Sequence, residues 1–302
     1  MILIHGINAT AKKILGKEAC MLQLLLAACG VKSGKWPASI TMIRHGESEY
    51  NELRGKKAAD PLYKEFKRSF IKDIKASHPW TPPEEVHSPK TRELAQQVYQ
   101  RYTLAKSDHR TLLNERGHWQ ARQTGAALNQ IIPTPDTVLV SPYERTLQTF
   151  RSTVDGGFDI GDASVVYDNR IREQEHGLVI LHSDKYVYQT FYPEQRQLLE
   201  RTGRYWYQHL QGESVPEVED RLRSLLNTLT RDYTGMHVTM FTHHLTILAM
   251  RTIIERLTPK EFVHLDENET PVNLGVTMYK QNPDAGKNGK LELAFYNRCL
   301  WT

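Results

Sequence analysis

Three short segments carry side chains able to handle a phosphate-like anion. The run Arg44-His45-Gly46-Glu47-Ser48 sets a guanidinium beside an imidazole. Neutral imidazole, with an ordinary pKa of about 6.5, is a competent nucleophile near neutrality. Guanidinium stays charged and offers a planar fork to two oxygens. Gly46 permits close backbone approach, and a helix beginning just beyond it would aim its amides at the same anion. Two further segments supply the same residue types, Ser141-Pro142-Tyr143-Glu144-Arg145 and Thr242-His243-His244.

Each of the three follows a short β-branched run: Ser39-Ile40-Thr41-Met42-Ile43, Thr137-Val138-Leu139-Val140 and His237-Val238-Thr239-Met240-Phe241. Helical patterns lie between them. Strands alternating with helices predict an α/β fold, a three-layer α/β/α sandwich with a mostly parallel central sheet. Ligands of such sheets sit beyond the carboxyl ends of the strands, so three strand ends carrying Arg or His point to one anion site. Asn273–Tyr279 and Leu291–Tyr296 flank a polar loop around Pro283–Gly289 and predict a strand-turn-strand hairpin on a sheet edge.

The domain is expected over residues 38–302, preceded by an extension at 1–37. A charged, mostly helical stretch at about 54–111 reads as an insertion near the active site, broken at Trp80-Thr81-Pro82-Pro83. Its apolar content looks thin for a separate core. Its basic residues fit a solvated face or a positively charged lip over the site.

At 302 residues, 39% hydrophobic and 9% aromatic, the chain can bury a substantial core. A formal charge of +4 is too small for a committed nucleic-acid binder but suits a small anionic substrate. Cys20, Cys29 and Cys299 form neither a disulfide framework nor a metal-ligand pattern, which points to reduced thiols in a cytoplasmic protein. The apolar run Met21–Ala28 is too short to span a bilayer. It fits a packed helix closing at Gly30, or alternatively a lipoprotein signal that would anchor the chain through Cys29. Apart from that anchor no membrane partner is expected. Leu3-Ile4-His5-Gly6 lacks the Gly-x-Ser-x-Gly elbow of an esterase, and Gly30–Lys35 lacks Walker spacing.

Arg44-His45-Gly46-Glu47-Ser48-Glu49-Tyr50-Asn51 resembles the signature of the histidine phosphatase superfamily, which includes the cofactor-dependent phosphoglycerate mutases. Later segments resemble further family motifs in order: Leu113–Ala121, Ser141–Thr149, Arg172-Glu173-Gln174-Glu175-His176-Gly177, Gly212-Glu213-Ser214 with Arg221, and Thr242-His243-His244. The likeness covers roughly residues 38–296 and is nearest the branch with an Arg-Glu-Gln-x-x-Gly acid motif. It implies a phosphomonoester hydrolase with no metal and no cofactor, acting on a small phosphorylated substrate. In that scheme His45 is the nucleophile, while Arg44, Arg145 and His243 hold the phosphoryl oxygens. Glu173 is the proton donor, with Glu175 as the alternative two residues on. Asn51 would be a phosphate ligand or a helix cap. His244 stands where most members carry glycine, as a pocket wall, a substrate contact or tolerated bulk, and its backbone amide could join the pocket. The Trp-Asn start and Glu-Arg-His-Tyr-Gly motif of the mutases are absent, which favours hydrolysis over mutase transfer. A non-catalytic phosphate-binding protein is the alternative of another class. Specificity is expected from residues 54–111 and 178–211, where Tyr186, Tyr188, Tyr192, Tyr205, Trp206 and Tyr207 fit either core packing or stacking on a substrate.

Overall fold

The computed structural model describes residues 34–78 and 80–302. Cys20, Cys29, the apolar run at 21–28 and most of the expected extension lie outside the described residues. The sheet has six strands in the order β3-β2-β4-β1-β5-β6. β1 (Ser39–Arg44), β2 (Thr137–Val140), β3 (Ser164–Tyr167) and β4 (His237–Thr242) are mutually parallel. β5 (Val276–Asn282) and β6 (Lys290–Arg298) form the expected edge hairpin, β5 antiparallel to β1 and β6 antiparallel to β5. β3 carries no expectation from the sequence. It is a short edge strand whose side chains are mostly exposed, so it shows no buried-face alternation.

Alternation along the strands sorts the core into two layers. Ile40, Met42, Leu139, Val238, Met240 and Tyr279 face one side. There they meet α8 (Val215–Asp232), α9 (His244–Glu255) and α10 (Pro259–Asn268) through Leu222, Leu225, Leu229, Ile247, Met250 and Phe262. Ile43, Val138, Val140, Phe241 and Met278 face the other side, against Leu128 of α4 (Glu115–Ile131) and Phe150 of α5 (Glu144–Asp155). α8 illustrates the local logic. Ser214 caps it in a reciprocal box with Glu217, and leucines at 222, 225, 226 and 229 recur at helical spacing.

Between β1 and α4 the chain forms α1 (Glu49–Ala59), α2 (Pro61–Ala76) and α3 (Pro89–Tyr102). The expected boundary at 54 falls inside α1, because Ser48 and Asn51 cap that helix and it runs unbroken through Gly55. α2 and α3 supply a small apolar cluster of Tyr63, Phe66, Phe70, Leu94, Ala95 and Val98, closed by Val187 of α6 (Lys185–Phe191). Lys57 is buried in an ion pair with Asp184 (2.7 Å) and donates to Ser183 O, locking the insertion to the segment before α6. Other basic residues of this stretch pair with neighbouring carboxylates, Lys90 with Glu65, Arg101 with Asp60 and Lys106 with Glu49. In the loop after it, around α7 (Pro193–Thr202), Tyr188, Tyr205 and Tyr207 are core residues, whereas Trp206 is 60% exposed. Among the described residues no helix is long and apolar enough to cross a membrane.

The N-terminus of α4 rests directly on the turn after β1. A Cβ on Gly117 would lie 2.1 Å from Glu47 O, and one on Gly46 would lie 2.7 Å from Gly117 O. We expect Gly117→Ala to destabilise the fold by about 1–3 kcal/mol through this overpacking. Urea unfolding measures it, and a variant as stable as the parent would show that the turn is not clamped.

Candidate active site

β1 and β4 pair in register, Arg44 opposite Thr242, and His45 N donates to Thr242 O (3.0 Å). The next residue on each strand is therefore a buried histidine. The rings of His45 and His243 lie 5.3 Å apart, near edge-to-face. The backbone around His45 is held from three sides. Gly46 N donates to Thr149 Oγ1 (3.0 Å), Glu47 N to Gln120 Oε1 (2.9 Å), and Asn273 Nδ2 donates to His45 O (2.9 Å). Trp301 Nε1 in turn donates to Asn273 O at 2.8 Å. His45 Nδ1 sits 2.7 Å from Gly46 O. A carbonyl only accepts, so the ring proton is on Nδ1 and the lone pair on Nε2.

Arg44 donates from Nη1 to Pro271 O (2.5 Å), while its buried Nε finds no hydrogen-bond partner among the described residues. Burial lowers its pKa to about 10, with Arg145 acting in the same direction and Glu173 opposing, so it stays charged near neutrality. Arg145, in the first turn of α5, is buried over the Tyr143 ring, 4.9 Å from its centroid. His243 Nε2 lies 2.8 Å from Ser141 Oγ at the end of β2, and its buried Nδ1 has no partner among the described residues. A Ser141 hydroxyl that donates to Nε2 places the ring proton on Nδ1. Burial pushes both imidazoles well below 6.5, and Arg145 adds to the effect on each, assisted by Arg44 at His45. The arrangement gathers two guanidinium groups around two uncharged imidazoles, a setting whose chemistry suits an oxyanion.

Glu173 is buried, and its Oε1 accepts from Gln174 N (3.0 Å) and from Leu245 N (3.2 Å) in the first turn of α9. Its loop is pinned to the sheet layer: Thr242 Oγ1 donates to Ile171 O, Thr246 Oγ1 to Arg172 O, and Arg221 Nη2 to Glu173 O. Glu213 anchors the loop further through Arg172 (2.6 Å) and Arg221 (3.1 Å). The Glu175 carboxylate is half exposed and engaged with Arg172 (3.2 Å) and the Tyr143 hydroxyl (3.1 Å). Glu173 therefore lies buried at the start of α9, close enough to Arg44 to act on its charge, while Glu175 is half exposed beside Tyr143.

Asn51 spends its Oδ1 on the helix cap, accepting from Ser48 N (3.1 Å), and also receives Asn273 Nδ2 at 3.3 Å. The His244 Nε2 lies 3.1 Å from Asp266 Oδ1, an ion pair when the ring is protonated, and Asp266 also takes Arg204 Nε (3.2 Å). Sequence reasoning missed Asn273 and Asp108, the partner of Arg145. Neither stands in a motif, and Asn273 meets His45 across 228 residues of chain. Among the described residues no group of three or more His, Cys, Asp or Glu side chains is placed to hold a metal ion.

The sequence profile of the Histidine phosphatase superfamily (branch 1) matches residues 95–285, an interval that holds Arg145, Glu173 and His243 and begins after Arg44 and His45. Two relatives from Arabidopsis thaliana are similar over part of the chain. Phosphoglycerate mutase-like protein AT74H is 33% identical over 135 residues, covering 41% of this chain and 46% of that protein. Phosphoglycerate mutase-like protein AT74 is 31% identical over 132 residues, covering 41% and 40%. The match thus spans less than half the length of either relative. Among solved structures, Mycobacterial hydrolase 1 shares the fold with a TM-score of 0.56 at 18% identity, over 87% of this chain and 99% of the other. A mycobacterial glucosyl-3-phosphoglycerate phosphatase in complex with inorganic phosphate does so at 0.56 and 16%, over 88% and 99%.

An unfolded histidine takes up its proton near pH 6.5 and these folded rings only at lower pH. Stability present above pH 6.5 is therefore lost as pH falls through the folded values. Imidazole NMR of the ligand-free protein is expected to show His45 and His243 still neutral at pH 6.5. Half-protonation of either ring at that pH would contradict the burial argument.

Proposed function

The chain belongs to the histidine phosphatase superfamily, and on that premise we propose that it hydrolyses a phosphomonoester through a phosphohistidine formed on His45. The observation that carries this reading is the pair of buried polar atoms without partners among the described residues, Arg44 Nε and His243 Nδ1, on the residue before a neutral His45 and on the histidine whose ring lies 5.3 Å from it. Buried donors are costly when unpaired, so a site that leaves two of them beside an imidazole is built for an oxyanion.

In the proposed first step, His45 Nε2 bonds to phosphorus as the P–O bond to the leaving alcohol breaks. Arg44, Arg145 and His243 hold the non-bridging oxygens, and the acid form of Glu173 gives its proton to the leaving oxygen. In the second step, the Glu173 carboxylate takes a proton from water, whose oxygen bonds to phosphorus as the N–P bond breaks. Inorganic phosphate leaves and neutral His45 is restored. Glu173 suits this exchange because the two amides engage its Oε1, leaving Oε2 as the atom to carry the proton. The same reading makes His244 a wall of the leaving-group side, and the Arg-Glu-Gln-x-x-Gly form of the acid loop a mark of hydrolytic members.

Mutase-type transfer is the reading favoured by the names of the two plant relatives. Two assays separate the alternatives. Incubation with 32P-labelled phosphomonoesters followed by acid-sensitive trapping should label the wild type and leave His45→Ala unlabelled. A bisphosphate-primed assay should release phosphate without isomerising a phosphoglycerate. Turnover by His45→Ala at the wild-type rate, or transfer without phosphate release, would overturn the phosphatase proposal.

A further inference from the structure

Arg145 is not alone in this cluster. Its Nη1 donates to Asp108 O (2.7 Å) and to Asp108 Oδ1 (3.0 Å), and its Nη2 donates to Asp108 Oδ2 (3.2 Å). Asp108 opens a single 3-10 turn, Asp108–Arg110, on the return path from the helical insertion to α4. That path is anchored on both sides. Lys106 Nζ reaches Glu49 at 2.8 and 2.9 Å, Leu112 N donates to Glu49 Oε2 (3.2 Å), and Leu104 N donates to Ser183 Oγ (2.9 Å).

We propose that Asp108 is a positioning residue for the phosphatase reaction: by gripping one edge of Arg145 it turns the opposite edge toward the phosphoryl group. The inference rests on the function proposed above. A guanidinium presents five N–H donors. Asp108 uses both hydrogens of Nη1 and one of Nη2. The Nε hydrogen and the other Nη2 hydrogen are left on the far edge, a second fork with the spacing for two phosphate oxygens. The Tyr143 ring lies 4.9 Å from the guanidinium, and together with Asp108 it restricts the group's rotation. Arg145 is next to both histidines, being the largest charge acting on each after burial. Its orientation therefore bears directly on where an oxyanion sits.

An alternative is that Asp108 merely competes with substrate for Arg145. The two ideas predict opposite signs. Removing a carboxylate from an anion site strengthens anion binding if the carboxylate is a competitor, and weakens it if the carboxylate orients the guanidinium. The experiment uses the full chain and the near-isosteric Asp108→Asn, with Asp108→Glu as the conservative variant and Arg145→Lys as background. Binding of inorganic phosphate and vanadate is followed by calorimetry, and kcat and KM with p-nitrophenyl phosphate. Asp108→Asn is expected to weaken both anions and raise KM by about tenfold. Asp108→Glu should recover part of the loss, and Asp108→Asn should have no further effect once Arg145 is lysine. Unchanged or tighter anion binding in Asp108→Asn, or an equal loss in the Arg145→Lys background, would overturn the positioning role. The binding arm stands independently of turnover. Anion binding that responds to Asp108 as described, in a wild type that turns over no phosphomonoester, would count against the phosphatase reading and leave the positioning of Arg145 intact.

Discussion

Everything at the site depends on the in-register parallel pairing of β1 with β4. Because Arg44 faces Thr242, the first residues past the two strand ends, His45 and His243, stand side by side. A slip of one residue would turn one imidazole to the opposite layer. The register is protected by the core: Ile40, Met42, Val238 and Met240 share one face, while Ile43 and Phe241 share the other. The apolar alternation that folds the sheet is thus also what aligns two polar side chains beyond its end.

That alignment brings two guanidinium groups and two imidazoles into a buried space, which is electrostatically expensive. The structure answers in two ways. The imidazoles remain neutral, pushed down by burial and by the arginines. The arginines are offset by groups from elsewhere: Arg145 by Asp108, and Arg44 by the Pro271 carbonyl with Glu173 in electrostatic reach. Arg44 Nε and His243 Nδ1 are buried there without a partner among the described residues.

The residues that were legible in the sequence are those whose chemistry and local context coincide. His45, Arg145 and His243 each follow a β-branched run, so the strand pattern and the site pattern reinforce one another. Gly117 and Gln120 stood in a recognisable motif, yet their task, holding the backbone of Gly46 and Glu47, appears only once α4 is packed on that turn. β3 escaped because an exposed edge strand lacks the alternation of a buried face. Asn51 shows a different limit. Its type fits both a phosphate ligand and a helix cap, and local backbone geometry assigns its oxygen to the cap. Asn273 and Asp108 were invisible because only tertiary packing brings them to His45 and Arg145.

The insertion brings an acidic side chain as well as basic ones toward the site. Its basic residues fitted either a solvated face or a positively charged lip; several pair with carboxylates, Lys56 with Glu52, Lys90 with Glu65, Arg101 with Asp60 and Lys106 with Glu49, and Lys57 is buried against Asp184. The side chain it sends to Arg145 is acidic. On the proposed reading of the cluster as a phosphate site, this is the charge it lacks. The sheet already contributes two arginines and two histidines at the strand ends, so another cation would add repulsion between buried charges without adding geometry. A carboxylate on the outer edge of Arg145 lowers that repulsion and removes a rotational freedom at once. A segment that arrives over two arginines from outside contributes most by supplying the opposite charge to the side of the arginine that faces away from the proposed phosphate.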